Sequence, residues 1–306
     1  MRVAVTGANG LLGGAAVAAL TGAGGSPAVG HEVLALGRGP CRLPPGPYRW
    51  ADVDLADGHS VEAALLDFRA ERVLHAGAMT DVDGCERDPV AAWSANVGGT
   101  EQVARACRAL GARLVAVSTD YVFDGAAGPY GEDDVPNPQG VYARSKLAGE
   151  WAALSIATDR AVARVAVVYS GRAGAKSTFA TQVVEKLSRG EPVKAFSDQF
   201  VSTTLAENGA DMCLELLLDS GYQGVLHASG DGVVDRVTFA HKVAALFGLR
   251  GEIVPVKTAD VKLPAPRPLR GGLRVDRARA MLRHEPLDID SSLARFQEAW
   301  TGRPPR

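Results

Sequence analysis

Tyr142 and Lys146 stand four residues apart in the stretch VYARSKLAGE, Val141 to Glu150. On a helix that spacing puts both side chains on one face. A phenol beside an ammonium can act as a proton donor near neutral pH. An unperturbed tyrosine titrates near ~10, and an adjacent cation lowers that by favouring the phenolate. The pair alone fits equally well an amphipathic helix carrying an incidental Tyr and Lys. A second constellation lies at the start of the chain, in VTGANGLLGG, where Gly7, Gly10 and Gly13 are spaced GxxGxxG with Asn9, Leu11 and Leu12 between and beside them. Glycines so placed allow a tight turn, close approach of backbone to a pyrophosphate and close packing of helix on strand. The N-terminus of the following helix presents unpaired N–H groups to the anion. After a first strand and before an apolar helix, this pattern predicts a dinucleotide site.

The second strand ends ALGR, with Gly37 and then Arg38 where an acid would hold the ribose 2′-hydroxyl of NAD. Arg38 can instead pair with a 2′-phosphate, which favours NADPH and leaves NADH possible. Asp54 and Leu55 are expected to close the third strand near the adenine, and Ala76, Gly77 and Ala78 of HAGA offer small residues where backbone passes the cofactor. The strand RLVAVSTD delivers Ser118 and Thr119 to the carboxyl end of the sheet, the edge where such folds bind ligands. A hydroxyl, a phenol and an ammonium facing a nicotinamide make a carbonyl-reduction site, in which Tyr gives the proton while hydride arrives from the cofactor. That chemistry requires no metal.

The elements that must position these groups read as alternating strand and helix. VAVTG, EVLAL, RVLHA, RLVAVS and AVARVAVVY are apolar strands, and helices are predicted after Gly10, over 60–70, over 90–110 and over 142–156. Near-continuous apolar strands between amphipathic helices mean a parallel sheet covered on both faces. The expected fold is α/β: a doubly wound parallel sheet of Rossmann type over residues 1–169, with a smaller α/β substrate lobe over 170–306 that is partly interleaved with it. In that second half, helices are expected over 178–189, 205–220, 237–247 and 276–282, strands at GVLHAS and EIVPV, and a connector at KLPAPRPLRGG. TGAGGSPAVG, Thr21 to Gly30, reads as a surface insertion. The 306 residues are 46% hydrophobic and 22% charged with a net charge of −2, so no nucleic-acid footprint or membrane-surface patch is indicated. Four cysteines without metal-ligand spacing, no apolar run long enough for a bilayer and an N-terminus that enters a strand at once point to a reduced cytoplasmic protein.

The TGxxGxxG opening, STD and YxxxK together resemble the extended short-chain dehydrogenase/reductases. AMTDVDGCE, STDYVFDG, YARSKLAGE, DQFVSTTLA and APRP, in that order, resemble more narrowly the dTDP-4-dehydrorhamnose reductase family, from Arg2 to at least Leu282. The resemblance implies NADPH-dependent reduction of the 4-keto group of a nucleotide-linked 6-deoxysugar. By it Tyr142 is the general acid, Lys146 lowers its pKa and holds the nicotinamide ribose, and Thr119 hydrogen-bonds the substrate carbonyl beside Ser118. Asn96 matches a family asparagine that supports the active-site helix, within the cofactor-binding set. Thr80, Val82, Asp83, Asp120, Phe123 and Val167 are implied at the substrate, and Asp198 and Gln199 at its nucleotide half or in the frame of the lobe. His227 and His241 read as structural.

Departures from the family pattern fall on the pocket. Val167 stands where a tryptophan usually lines the sugar site, Thr203 where proline is usual, and LRGGL lacks an asparagine–serine pair. Tyr121 occupies the place of the glutamate that dehydratases of related fold use for elimination, which argues against dehydration. Two further readings stay open: a cofactor-binding regulatory subunit like the β subunit of methionine adenosyltransferase, and a sugar-nucleotide epimerase, against which Arg38 argues. The expected partner is a small-molecule substrate, a nucleotide sugar, and a homodimer is possible.

Overall fold

The β-branched runs of the first half become strands buried on both faces. In a computed structural model of the chain, which describes residues 1–22, 30–57 and 59–302, seven parallel strands form one central sheet. Most of the Thr21–Gly30 stretch lies outside the described residues. In chain order the first half holds β1 (Arg2–Thr6), α1 (Leu11–Thr21), β2 (Glu32–Gly37), β3 (Arg49–Asp52), α2 (Ser60–Phe68), β4 (Arg72–His75), α3 (Val82–Arg87), α4 (Pro89–Trp93), α5 (Gly99–Leu110), β5 (Arg113–Thr119), α6 (Val141–Ile156) and β6 (Asp159–Val165). The second half holds β7 (Val168–Tyr169), α7 (Phe179–Ser188), β8 (Val193–Phe196), β9 (Phe200–Val201), β10 (Thr204–Leu205), α8 (Ala206–Leu218), β11 (Gly224–His227), β12 (Val234–Asp235), α9 (Arg236–Leu246), β13 (Ile253–Val256), α10 (Asp276–Met281) and α11 (Ile289–Thr301).

The sheet order is β11-β6-β5-β4-β1-β2-β3. The chain runs outward from β1 in one direction, then returns to β4 and runs outward in the other. The strand order therefore reverses between β1 and β4, and the crevice at their carboxyl ends is where such a sheet binds a ligand. One face is sealed by α1 and α8, with Leu12, Val17 and Leu20 against Met212, Leu216 and Leu217. Val61, Leu65, Val103 and Ala153 of α2, α5 and α6 seal the other. The second half returns to this sheet, because β11 pairs with β6. A separate core gathers α7, α9 and α11 around Tyr169, whose ring meets Phe239 and Phe296 edge-on at 5.6 Å.

Three local differences from the expected elements matter to the site. The helix expected over 90–110 is interrupted by a π turn at Ser94–Gly98, the kind of bulge that re-aims side chains at functional positions. Its Asn96 carbonyl accepts from Thr100 Oγ1 at 2.7 Å, and a Cβ on Gly149 of α6 would lie 2.6 Å from it. The apolar run AVARVAVVY does not stay one strand. It breaks after Val165 because Thr204 captures the turn, its N–H donating to Val167 O at 3.2 Å and its hydroxyl to Ala166 O at 2.6 Å. β7 then pairs with β10 outside the main sheet, and Val167 is left at φ 33°, a left-handed conformation strained for a β-branched residue. Finally, β3 ends at Asp52, so Asp54 and Leu55 sit in the turn beyond the strand rather than closing it.

Candidate functional site

The cradle is built by close backbone approach. Gly7 has φ 68°, and a Cβ there would lie 2.6 Å from the Gly77 nitrogen, while one on Gly13 would lie 2.4 Å from the Gly7 carbonyl. No side chain larger than hydrogen fits, so the β1–α1 turn, the end of β4 and the first turn of α1 close on each other around an exposed helix N-terminus. Gly10 caps α1 and donates its N–H to Gly7 O at 2.8 Å. Leu11 is half-buried, and Leu12 is buried against α8. This arrangement fits a dinucleotide pyrophosphate.

Asn9 ties the loop after β2 to this turn. Its amide donates to the carbonyls of Arg38 and Pro40 at 3.2 and 3.0 Å and accepts from Arg42 N–H at 2.9 Å. The Arg38 side chain is 80% exposed and pairs with Asp54 Oδ2 at 3.7 Å, a weak surface ion pair that a phosphate can displace. Leu55 packs beside Gly77 and Gly99. Below Ala76 and Ala78, His75 is buried between Thr6 Oγ1 at 2.7 Å and Thr100 Oγ1 at 3.0 Å, and burial pulls its pKa down to about 3. It stays neutral and ties β1, β4 and α5 together.

The second group converges at the end of β5. Thr119 donates its hydroxyl to Asp120 Oδ1 at 3.1 Å and accepts from Tyr121 N–H at 3.2 Å. Tyr142, in the first turn of α6, packs with Met79, Val82, Cys85 and Tyr121. The two tyrosine rings meet edge-on at 5.8 Å. Burial raises the Tyr142 phenol above its usual range, with the Thr119 hydroxyl pulling the other way. The Lys146 ammonium, expected to lower it, turns instead to Val117 O at 2.8 Å, and its own pKa is pulled down to about 8 by burial. Tyr142 is therefore held protonated, the form a proton donor needs. Asp120 is buried too, which pushes its carboxyl up to about 6. The Ser118 hydroxyl is buried without a hydrogen-bond partner among the described residues.

Asn96 reaches both halves of this group. Its Oδ1 accepts from Met79 N–H at 2.8 Å, and its Nδ2 donates to Met79 O at 3.1 Å and to Ser145 Oγ at 3.0 Å. Ser145 donates in turn to Tyr142 O at 2.9 Å. Further along α6, Glu150 and Arg164 form a buried bidentate pair at 2.9 and 2.7 Å that pins the helix to β6.

The residues expected at the substrate are not all brought to one place. Val82 joins Tyr142, whereas Thr80 is exposed. Asp83 is paired with Arg267 Nη2 at 2.8 Å, which pulls against the effect of its burial. Phe123 is 1% exposed and lies beneath the site, stacked on Tyr130 at 4.4 Å with Arg164 over its ring at 5.1 Å. Asp198 accepts from Thr258, while Gln199 donates to Thr258 Oγ1 at 3.0 Å and accepts from Arg236 Nε at 3.4 Å. Sequence reasoning passed over Arg267, Ser145 and Arg236. Arg267 sat within the APRP motif and Ser145 three residues past Tyr142, but Arg236, opening an amphipathic helix, carries no local signal.

Residues 1–301 match the family model described as RmlD substrate binding domain. The chain is similar to the dTDP-4-dehydrorhamnose reductase of Mycobacterium tuberculosis, 42% identical over 222 residues that cover 70% of this chain and 71% of the relative. It is 32% identical to a probable low-salt glycan biosynthesis reductase of Haloferax volcanii across 98% of this chain and 99% of the relative. The methionine adenosyltransferase 2 subunit beta of Bos taurus is 30% identical, over 90% of this chain and 81% of the relative. Among solved structures, the dTDP-4-dehydrorhamnose reductase of Bacillus anthracis in complex with NADP superposes with a TM-score of 0.84 at 25% identity, covering 97% of this chain and 98% of that one. MoeE5 in complex with UDP-glucose and NAD gives 0.80 at 26% identity, with 98% of each chain covered.

Proposed function

The chain belongs to the RmlD substrate binding domain family, and from that premise we propose that it is an NADPH-preferring reductase of the 4-keto group of a nucleotide-linked 6-deoxysugar, with Tyr142 as proton donor. The observation that carries the residue assignment is the meeting of Tyr142 and Thr119 beside Lys146 at the carboxyl end of β5. Its test is NADPH oxidation against a panel of 4-keto-6-deoxy nucleotide sugars, with NADH in parallel. Turnover of one sugar, faster with NADPH, is expected; NADPH binding with no turnover of any keto sugar would overturn the reading.

Gly7, Gly10 and Gly13 would hold the pyrophosphate and Arg38 the 2′-phosphate. When bound, the dinucleotide supplies the hydride. The remaining steps belong to the chain. Thr119 offers its hydroxyl to the substrate carbonyl oxygen and orients it. Tyr142 gives its phenolic proton to that oxygen as negative charge develops there, and the apolar wall of Met79, Val82 and Tyr121 keeps water from competing. Lys146, whose ammonium Val117 O holds beneath the site, supplies positive charge that favours the phenolate left behind.

The likeness to a methionine adenosyltransferase subunit supports a second reading, a regulatory subunit that binds cofactor without turning it over. A phenol held protonated beside Thr119 at the carboxyl end of β5 favours catalysis, and the same assay decides between them. No described helix is long and apolar enough to cross a membrane. A cytoplasmic location and a homodimer remain part of the proposal.

A further inference from the structure

Beyond the end of β6 lies a small pocket with Val167, Phe179, Val201, Thr203, Arg236 and Phe239 among its walls. It adjoins the reacting end of the sheet, because Thr119 on β5 pairs with Val165 on β6, two residues before the strained Val167. Tyr169 and Thr178, which also line it, are hydrogen-bonded to Ser292 and Thr181, and two further polar groups of the wall are short of partners. The Thr203 hydroxyl is buried and makes no hydrogen bond among the described residues. The Arg236 guanidinium lies over the Phe179 ring, 5.5 Å from its centroid, and its one hydrogen bond among the described residues is the 3.4 Å contact from Nε to Gln199. Gln199 is itself 4% exposed and fixed by Thr258, so the guanidinium is oriented. Among the described residues no carboxylate forms an ion pair with Arg236, although Asp120 and Tyr121 lie within electrostatic reach.

A guanidinium drawn partly out of water beside an unsatisfied hydroxyl is costly unless something pairs with both. Its planar fork matches the two oxygens of a carboxylate or phosphate. We infer that Arg236 is the anion-recognising residue of the substrate site, its free edge pairing with an oxyanion of the nucleotide sugar. The inference rests on the proposed function and names a determinant of its specificity. Two parts of such a substrate carry the required chemistry, the diphosphate linker and a carboxylate on the sugar itself.

Calorimetric titration of the full chain with NADPH present separates these sources. The probes are dTDP, thymidine and UDP-glucuronic acid, and the variants are Arg236→Gln and Arg236→Lys, with NADPH affinity and thermal unfolding as controls of folding. Arg236→Gln is expected to weaken dTDP roughly tenfold or more, as loss of a charge-assisted pair does, while thymidine and NADPH hold. Arg236→Lys keeps the charge without the fork, so it should recover part of that loss. A loss for UDP-glucuronic acid with dTDP unchanged assigns the oxyanion to the sugar carboxylate. Unchanged affinity for both anions in both variants overturns the inference. Failure of the wild-type chain to reduce any keto sugar, with the Arg236 effect on dTDP intact, would count against the proposed reaction and not against this subsite.

Discussion

The side-chain amide of Asn96 donates to the hydroxyl of Ser145 across 3.0 Å, joining the π turn between α4 and α5 to the helix that carries Tyr142 and Lys146. The same amide clasps both polar groups of the Met79 backbone. Wall and proton donor are thus set by one residue 1% exposed. Asn96→Ala removes the bonds to both Met79 backbone groups and to Ser145, and leaves the buried Met79 N–H without its acceptor, a loss of about 1–3 kcal/mol. We expect kcat to fall with little change in NADPH affinity, measured by single-turnover kinetics and fluorescence titration. An unchanged kcat would reduce Asn96 to a structural role.

Tyr142→Phe removes the proposed donor and nothing that holds the helix, since Ser145 bonds the Tyr142 backbone rather than its ring. Loss of a positioned general acid lowers kcat by roughly 10²–10⁴-fold. NADPH affinity and unfolding temperature should stay near wild type. Full activity in this variant would disprove the assignment of the proton donor.

Much of this architecture is legible in the residues because single positions force it. Gly7 and Gly13 can only be glycine where backbone meets backbone, and the apolar strands can only be buried on both faces, so cradle and sheet follow from spacing. Other features are set by contacts far away in sequence. Nothing in AVARVAVVY marks a break after Val165; Thr204, 37 residues beyond Val167, makes it. The π turn at Ser94–Gly98 likewise answers to Gly149 on another helix, and α11, unread in the sequence, is fixed by Phe296 against Tyr169. Nothing in the residues around Arg236 marks it before the fold lays it over Phe179.

Cofactor preference should reside in the loop that Asn9 ties down. Arg38→Ala is expected to raise the KM for NADPH roughly 10–100-fold, the worth of a charge-assisted hydrogen bond, while the KM for NADH holds. Asn9→Ala should raise the NADPH value as well, because the bonds that fix Arg38 and Arg42 beside the glycine turn are lost. Parallel initial-rate measurements with both cofactors check this. Equal rises for NADH and NADPH in Arg38→Ala would place the 2′-phosphate elsewhere.

Glu150 and Arg164 are 2% and 4% exposed in their side chains, so neither charge has water to fall back on. Arg164→Met leaves the Glu150 carboxylate buried alone and should lower stability by about 3–5 kcal/mol. The double variant Glu150→Gln, Arg164→Met removes the stranded charge and should recover most of that loss. Denaturant titration of the three proteins gives the coupling. Additive losses would mean that the pair does not act as a unit.

Asp120 gives stability a pH dependence of unusual sign. Burial raises its folded pKa from 3.8 to about 6, so between those values the folded state holds a proton that the unfolded state has lost. Stability from this group is therefore greatest at low pH and declines as pH rises through 6, by on the order of 3 kcal/mol in total. The buried histidines act oppositely: His75 and His227, pulled down to about 3 and 4, stay neutral while the unfolded chain protonates them below 6.5. Their contribution rises with pH across the same window and masks that of Asp120 in the wild type alone. The difference between wild type and Asp120→Asn cancels the histidines. Measured by denaturant unfolding from pH 4 to 7, wild type should lose ground against the variant most steeply near pH 5 and level off above 6. A difference independent of pH would mean that Asp120 is ionised throughout, its charge held by Arg236 and not suppressed by burial.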